Sequence, residues 1–334
     1  MSLPEISSRL SCALDRFEIF DRDGARAMAV VIKQRFIWNE RGALERMSGA
    51  QIEPVDVPWP DGQSPMIPAD RCLFKPSTDV VVSGHAVAPR PVESLDVHVS
   101  VGPVSKSLRV FGVRTWYRSA FGAKPSDPLP FDRLPLMWEH AYGGMDVSDP
   151  ENAVSDDRNP YGSGLASDAD SLEGQPVPRI EDPTDLIHSS RSRPKPAGIA
   201  ACASHFEPRR SYAGTFDQRW LDTRSPLFPE DYDPRFEQVA VPELVTPSPL
   251  IGNEPVRLLN LGHPGAIELR LPRLVFQVDA LADSGTTNRR PVLDTVLILP
   301  DDRHLDMVWR TSLPLRRGAA RIRDVFVYEK KVLR

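Results

Sequence analysis

The sequence predicts a mainly β protein: a β-rich α+β fold of antiparallel, sandwich-like sheets with few short helices and a long, ordered, proline-rich middle. Three observations carry this reading. Apolar residues recur with a period of two rather than 3.6, the spacing that puts every second side chain on one face of a strand. Proline is abundant, 34 of 334 residues, about twice the usual share of ~5%. These prolines lie beside aromatic and apolar residues, as in Pro58-Trp59-Pro60 and Phe228-Pro229, unlike a low-complexity linker. Each one removes a backbone donor and interrupts helices.

The elements follow in chain order. Residues 29–37 read as an early strand. Val80-Val81-Val82 is a short β-branched run between Lys75-Pro76-Ser77-Thr78-Asp79 and the Gly84-His85 break, which marks a buried strand with sharply set ends. Leu95, Val97, Val99 and Val101 alternate with Ser94, Asp96, His98 and Ser100; Gly102-Pro103 turns the chain, and residues 108–113 return as a hairpin. Ile267, Leu269 and Leu271 alternate again, and a strand over 274–278 follows Pro272. Residues 295–299 pair with 305–309 across Pro300-Asp301-Asp302-Arg303, and 322–328 form a last strand. Short helices are expected near 134–142 and 233–239. The chain reads as a single elaborate domain, 1–334, in which 145–197 is a long loop excursion. The alternative is two β-rich subdomains, 1–144 and 198–334.

Charge and cysteine content narrow the function classes. Net charge is −5 and the pI is about 5.9, so there is no global basic footprint for nucleic acid or an anionic membrane. Arg316, Arg317, Arg321 and Arg323 form a weak cluster that reads as solvated surface. Cys12, Cys72 and Cys202 are an odd count without CxxC spacing, which argues against a disulfide framework or a structural zinc. No signal peptide is expected at the N-terminus, and no apolar run approaches the ~20 residues that span a bilayer. A cytoplasmic location is expected.

Candidate chemistry is thin. Asp79, Glu139, Glu181, Asp182, Asp217, Glu230, Asp231 and Asp233 could hold a cation or form an acid–base pair, but they lack ligand spacing such as HxxxH or DxDxDG. Glu230-Asp231-Tyr232-Asp233 reads as a helix cap before Pro234. There is no GxSxG elbow, and Cys202 with His205 are sequence neighbours rather than partners brought together by a fold. Gly143-Gly144 and Gly162-Ser163-Gly164 suit turns with positive φ. No catalytic residue, metal ligand or cofactor is therefore expected. Arg114 and Arg209 read as internal clamps onto Asp79, Glu181 or Asp217, because a buried charge must be paired. Trp116, Trp138 and Trp220 read as core, whereas Trp59 and Tyr161, set among prolines, read as exposed partner-surface candidates.

Several strings recur in a telling order. After Lys75 to Gly84 come Gly112-Val113-Arg114-Thr115-Trp116, Trp138-Glu139-His140-Ala141-Tyr142-Gly143-Gly144 and Asn159-Pro160-Tyr161-Gly162. Then follow Arg179-Ile180-Glu181-Asp182, Pro196-Ala197-Gly198, Pro208-Arg209, Gly214-Thr215-Phe216-Asp217 with Trp220, and Phe228-Pro229-Glu230-Asp231. Together, over about residues 75–272, they resemble the DUF2169 family, accessory proteins of bacterial type VI secretion. The resemblance implies a non-catalytic cytoplasmic adaptor. Such a protein binds an effector, through its PAAR-bearing or N-terminal region, and loads it onto the VgrG spike, with no small-molecule substrate. The residues of these strings are then mainly structural. Two alternatives stay open: a metal-dependent hydrolase acting through Asp217 and Asp231, and a structural component that travels with the spike.

Overall fold

Strands dominate the computed structural model, which describes residues 3–21, 23–120, 122–148, 150–168, 170–283, 285–315 and 322–330. The central sheet has six strands. Its order is Ala13–Phe20, Arg26–Trp38, His304–Pro314, Val292–Leu299, Asp79–Val82, and Leu44–Met47 pairs with the far end of Arg26–Trp38. All pairings are antiparallel except the last: Asp79–Val82 runs parallel to Val292–Leu299, with Asp79 opposite Thr295 and Val80 opposite Val296. Those two strands are buried along nearly their whole length, so they carry continuous apolar runs rather than alternation.

A second sheet orders Ile180–Glu181, Val104–Phe111, Ser94–Val101, Pro255–Leu259 and Ala266–Arg270, antiparallel throughout. Here the alternation is literal: Val97, Val99 and Val101 are buried while Ser94 and Asp96 are exposed. A third sheet joins Ile6–Ser8, Ile322–Glu329, Phe276–Ala282 and Gly285–Arg289. Side chains of all three sheets meet in one core that includes Val30, Val81, Val99, Leu258, Val278, Ile298 and Val327. A smaller cluster of Trp116, Ala123, Tyr142, Ala166, Leu172, Val177 and Ile187 lies over part of the proline-rich middle.

The helical expectations fare worse. Within 134–142 only Trp138–His140 coil, as a 3₁₀ turn, and Phe131–Pro135 are a strand paired with His85–Val92. Met137 and Ala141 on either side of that turn are extended, and Gly143 and Gly144 take positive φ, so the turn does not propagate into an α-helix. Residues 233–239 likewise give a 3₁₀ turn, Pro234–Glu237, capped by Asp233. The α-helix among the described residues is Gln218–Thr223, which the pattern did not announce. The third-sheet strand expected over 274–278 starts later and runs on to Ala282. No helix among the described residues is long and apolar enough to cross a membrane. Arg316, Arg317 and Arg321 lie outside the described residues, and Arg323 pairs with Asp283.

Candidate functional site

The residues singled out in the sequence fall into three constructions. The first is a buried chain of charges against the central sheet. Lys75 Nζ donates to Asp79 Oδ2 at 2.8 Å and to Thr295 Oγ1 at 2.9 Å, and the same Asp79 oxygen accepts from the Val239 amide at 2.8 Å. Beyond Thr295, Arg310 Nε donates to Asp294 Oδ2 at 2.6 Å and Arg310 Nη1 to the Asp70 carbonyl at 2.6 Å. Lys33 pairs with Asp70 at 2.9 Å, and Arg35 holds Asp306 through two bonds of 2.7 Å. The cations Lys33, Arg35, Lys75 and Arg310 thus match the anions Asp70, Asp79, Asp294 and Asp306. Burial opposes the charge on Lys75, but Asp79 beside it lifts the ammonium above its ordinary value. Charges this deep persist only when paired and hydrogen-bonded.

The second construction fastens the proline-rich middle. Arg114 donates to Glu181 and to the Pro178 carbonyl, with its guanidinium 4.0 Å above the Phe111 ring. Glu181 also accepts from the Ile187 amide at 2.7 Å. Of the three expected carboxylate partners, Glu181 is therefore the one Arg114 takes. Arg209 takes none of them: it donates to the carbonyls of Phe236 and Cys202, both at 2.7 Å. It still clamps, but through backbone oxygens that the local turns leave unpaired.

Asn159, fully buried, donates to the carbonyls of Trp138 and Tyr142. Gly143 and Gly144 pass so near it that a Cβ on Gly143 would lie 2.3 Å from the Asn159 carbonyl oxygen. Trp138 is core: its indole N–H donates to the Ala201 carbonyl at 2.8 Å and its ring lies edge-on to Phe206. Trp116 is buried too. Glu139 accepts from the Gln63 and Ser64 amides and the Ser64 hydroxyl, fixing the turn that contains Trp59. Near the Gly84 break, His85 pairs with Asp301 at 2.6 Å.

Of the two residues expected to be exposed, Trp59 is buried and Tyr161 is half-buried. Trp59 is only 6% exposed, with its ring edge-on to His85. The turn it belongs to, closed by the Trp59 amide on the Ser64 carbonyl and held by Glu139, tucks the indole inward. Tyr161 is half-buried against His205 and Phe206.

The third construction is a surface lobe over residues 206–237. Gly214 takes φ +84° with Asp231 beside it. Thr215 donates to both Asp231 oxygens, through its amide at 2.9 Å and its hydroxyl at 2.7 Å. Asp217 caps the helix Gln218–Thr223 by accepting from the Trp220 amide, satisfying one of the donors a helix start leaves open. The Trp220 indole N–H donates to the Leu227 carbonyl at 2.9 Å, and its ring meets Phe216 at 4.8 Å. Thr215, Asp217, Trp220, Glu230 and Asp231 line an open pocket of about 280 Å³.

The lobe also shows what sequence reasoning missed. Phe216 and Leu221 are each 57% exposed. Trp220, expected as core, is only half-buried, and no residue of this short helix is fully buried, so Leu221 points outward. The signal was the shortness of the apolar pattern there.

The carboxylates do not converge. Asp79, Glu139, Glu181, Asp217, Asp231 and Asp233 each serve a different ion pair, cap or turn, and Asp182 holds the Thr184 amide and hydroxyl. Among the described residues no group of three or more His, Cys, Asp or Glu side chains is placed to hold a metal. Cys202 lines a second pocket of about 240 Å³ with Arg209, Tyr212 and Gln238. Burial pushes its thiol up to about 12, and that of Cys72 up to about 11. His205, whose ring packs on Tyr161 and Phe206, is moved down by burial. Because the thiolate is the reactive form, native Cys72 and Cys202 should resist iodoacetamide at about pH 8 and label only on unfolding. Rapid labelling of either in the folded protein, followed by mass spectrometry, would contradict this.

No curated protein and no solved structure matches the chain. Residues 23–310 match the family described as "Uncharacterized protein conserved in bacteria (DUF2169)". That span takes in the buried charge chain, the clamped middle and the surface lobe, and the chain belongs to the DUF2169 family.

Proposed function

We propose that this protein is a non-catalytic adaptor of type VI secretion that binds an effector in the cytoplasm, at its PAAR-bearing or N-terminal region, and loads it onto the VgrG spike. The observation that carries the reading is the lobe over 206–237, where sequence-marked residues are spent on holding a surface rather than on lining a reaction centre. Thr215 is tied to Asp231, and Trp220 to Asp217 and Leu227, by hydrogen bonds, and the surface so braced presents Phe216 and Leu221 to solvent. Apolar side chains held in place lose little freedom when a partner covers them, which favours binding. The resemblance to type VI accessory proteins supplies the partner class.

Co-expression with the cognate PAAR-bearing effector tests this. The two should co-purify, and Phe216→Ala with Leu221→Ala should weaken the complex by about 2 kcal/mol or more, roughly thirtyfold in Kd. Both positions are exposed, and the Phe216–Trp220 ring contact is the share lost, so the unfolding free energy should move by no more than about 1.5 kcal/mol. An effector that stays soluble and is secreted normally in cells lacking this protein would defeat the proposal.

A further inference from the structure

A groove of about 710 Å³ opens where the turn over residues 41–44 faces the outer side of the second sheet. Three guanidiniums line it, from Arg41, Arg257 and Arg270, against one carboxylate, Glu268. The local balance is therefore +2 (three minus one), on a chain whose net charge is −5. Much of the guanidinium donor capacity is unspent. Arg257 has only a loose pairing with Glu268 at 3.9 Å, and the two side chains are 57% and 75% exposed. Arg270 gives one hydrogen bond, to the Asn253 carbonyl at 3.1 Å. The exposed Arg41 side chain makes none among the described residues.

The groove is also preformed. Gly42 takes φ +74° and lies so near the opposite wall that a Cβ there would fall 2.0 Å from the Glu268 carbonyl oxygen. The turn itself is pinned by Asn39, whose side chain accepts from the Arg41 and Ala43 amides at 2.9 and 3.1 Å.

We infer that this groove is a docking site for an acidic, extended segment of a partner protein, one whose carboxylates are spaced by apolar residues. Guanidinium forks take carboxylates through paired hydrogen bonds, and Leu44 and Pro255 in the lining meet the apolar residues between them. The position of Glu268 selects a peptide over a continuous polyanion. It stands directly across from Arg257 in the strand pairing and two residues before Arg270 on the same strand. A nucleic-acid backbone, charged at every step, would set a phosphate against it. A peptide can place an uncharged residue or a backbone N–H there. The site is independent of the role given to Phe216 and Leu221.

Fluorescence anisotropy on the full chain tests it with three labelled probes: an alternating Glu/Val peptide, its Gln/Val counterpart, and single-stranded oligothymidylate. The Glu/Val peptide should bind, more weakly as salt rises, and the Gln/Val peptide should bind at least about tenfold more weakly. Arg257→Glu with Arg270→Glu should cost a comparable factor. Arg41→Glu, at a side chain with no contact to lose, should weaken binding while leaving the thermal midpoint unchanged. No binding of the Glu/Val peptide, equal binding of the two peptides, or unchanged binding by Arg41→Glu would overturn the inference. Tighter binding of the oligonucleotide would overturn it in favour of a nucleic-acid surface.

Discussion

Replacing Lys75 with methionine should destabilise the protein by about 3–5 kcal/mol, the usual cost of removing one partner from a buried ion pair. Asp79 is fully buried, so the carboxylate left behind can neither reach water nor find another cation. Its remaining partner is the Val239 amide, and Thr295 loses its donor as well. Against a total stability of about 5–15 kcal/mol, this is a large fraction. Urea denaturation of the single variant and of Lys75→Met with Asp79→Asn separates charge from packing. The asparagine oxygen can still accept from Val239 without a charge, so the double variant should be more stable than the single one. A single variant within about 1 kcal/mol of the wild type would show that the pair is not the anchor its burial implies.

Gly143→Ala is expected to be of similar severity for a different reason. Gly143 adopts φ +142°, and an added Cβ would lie 2.3 Å from the Asn159 carbonyl oxygen and 2.9 Å from the Asn159 side chain. Holding a non-glycine residue in such a conformation costs about 1–3 kcal/mol, and the overpacking adds about 1–3 kcal/mol. Asn159 cannot yield, because its amide ties the Trp138 and Tyr142 carbonyls together. Gly49→Ala is the control: its φ is also positive, +89°, but its Cβ would meet nothing within 4 Å. It should lose only the conformational share. Equal losses for the two, measured by thermal unfolding, would show that the close approach to Asn159 is not what requires glycine.

What could be read from the sequence was what period two reports. Residues 94–101 and 267–271 alternate because one face of the second sheet is wet, and both appear in the structure as strands at those places. The hairpin over 295–309 announced itself through its turn residues. The run Val80-Val81-Val82 was legible as a strand but not in its pairing. A strand buried on both faces carries no face label, and its parallel neighbour at 292–299 lies far along the chain.

Clamps were half legible. Arg114 and Glu181 show their types and a need for partners, whereas Arg209 ends on two carbonyls, which no sequence pattern displays. Trp59 misled because Pro-Trp-Pro fixes the backbone locally yet says nothing of which way the turn folds. It took Glu139, holding the Gln63 and Ser64 amides, to turn it inward. The exposed Phe216 sat inside a marked string and was passed over, since an apolar residue in such a string reads as core.

The matched charges along the central sheet bear on the order in which this molecule can be made. Asp294, Thr295, Asp306 and Arg310 all come from the hairpin of Val292–Leu299 and His304–Pro314. Their counterparts Lys33, Arg35, Asp70, Lys75 and Asp79 leave the ribosome far earlier. Until that hairpin emerges, Lys75 lacks Thr295 and Arg35 lacks Asp306. Lys33 with Asp70 and Lys75 with Asp79 can pair within the early segment, but Arg35 has no carboxylate of its own until Asp306 arrives. The hairpin therefore supplies the pieces the early segment cannot make for itself, the Asp306 carboxylate for Arg35 and the Thr295 hydroxyl for Lys75.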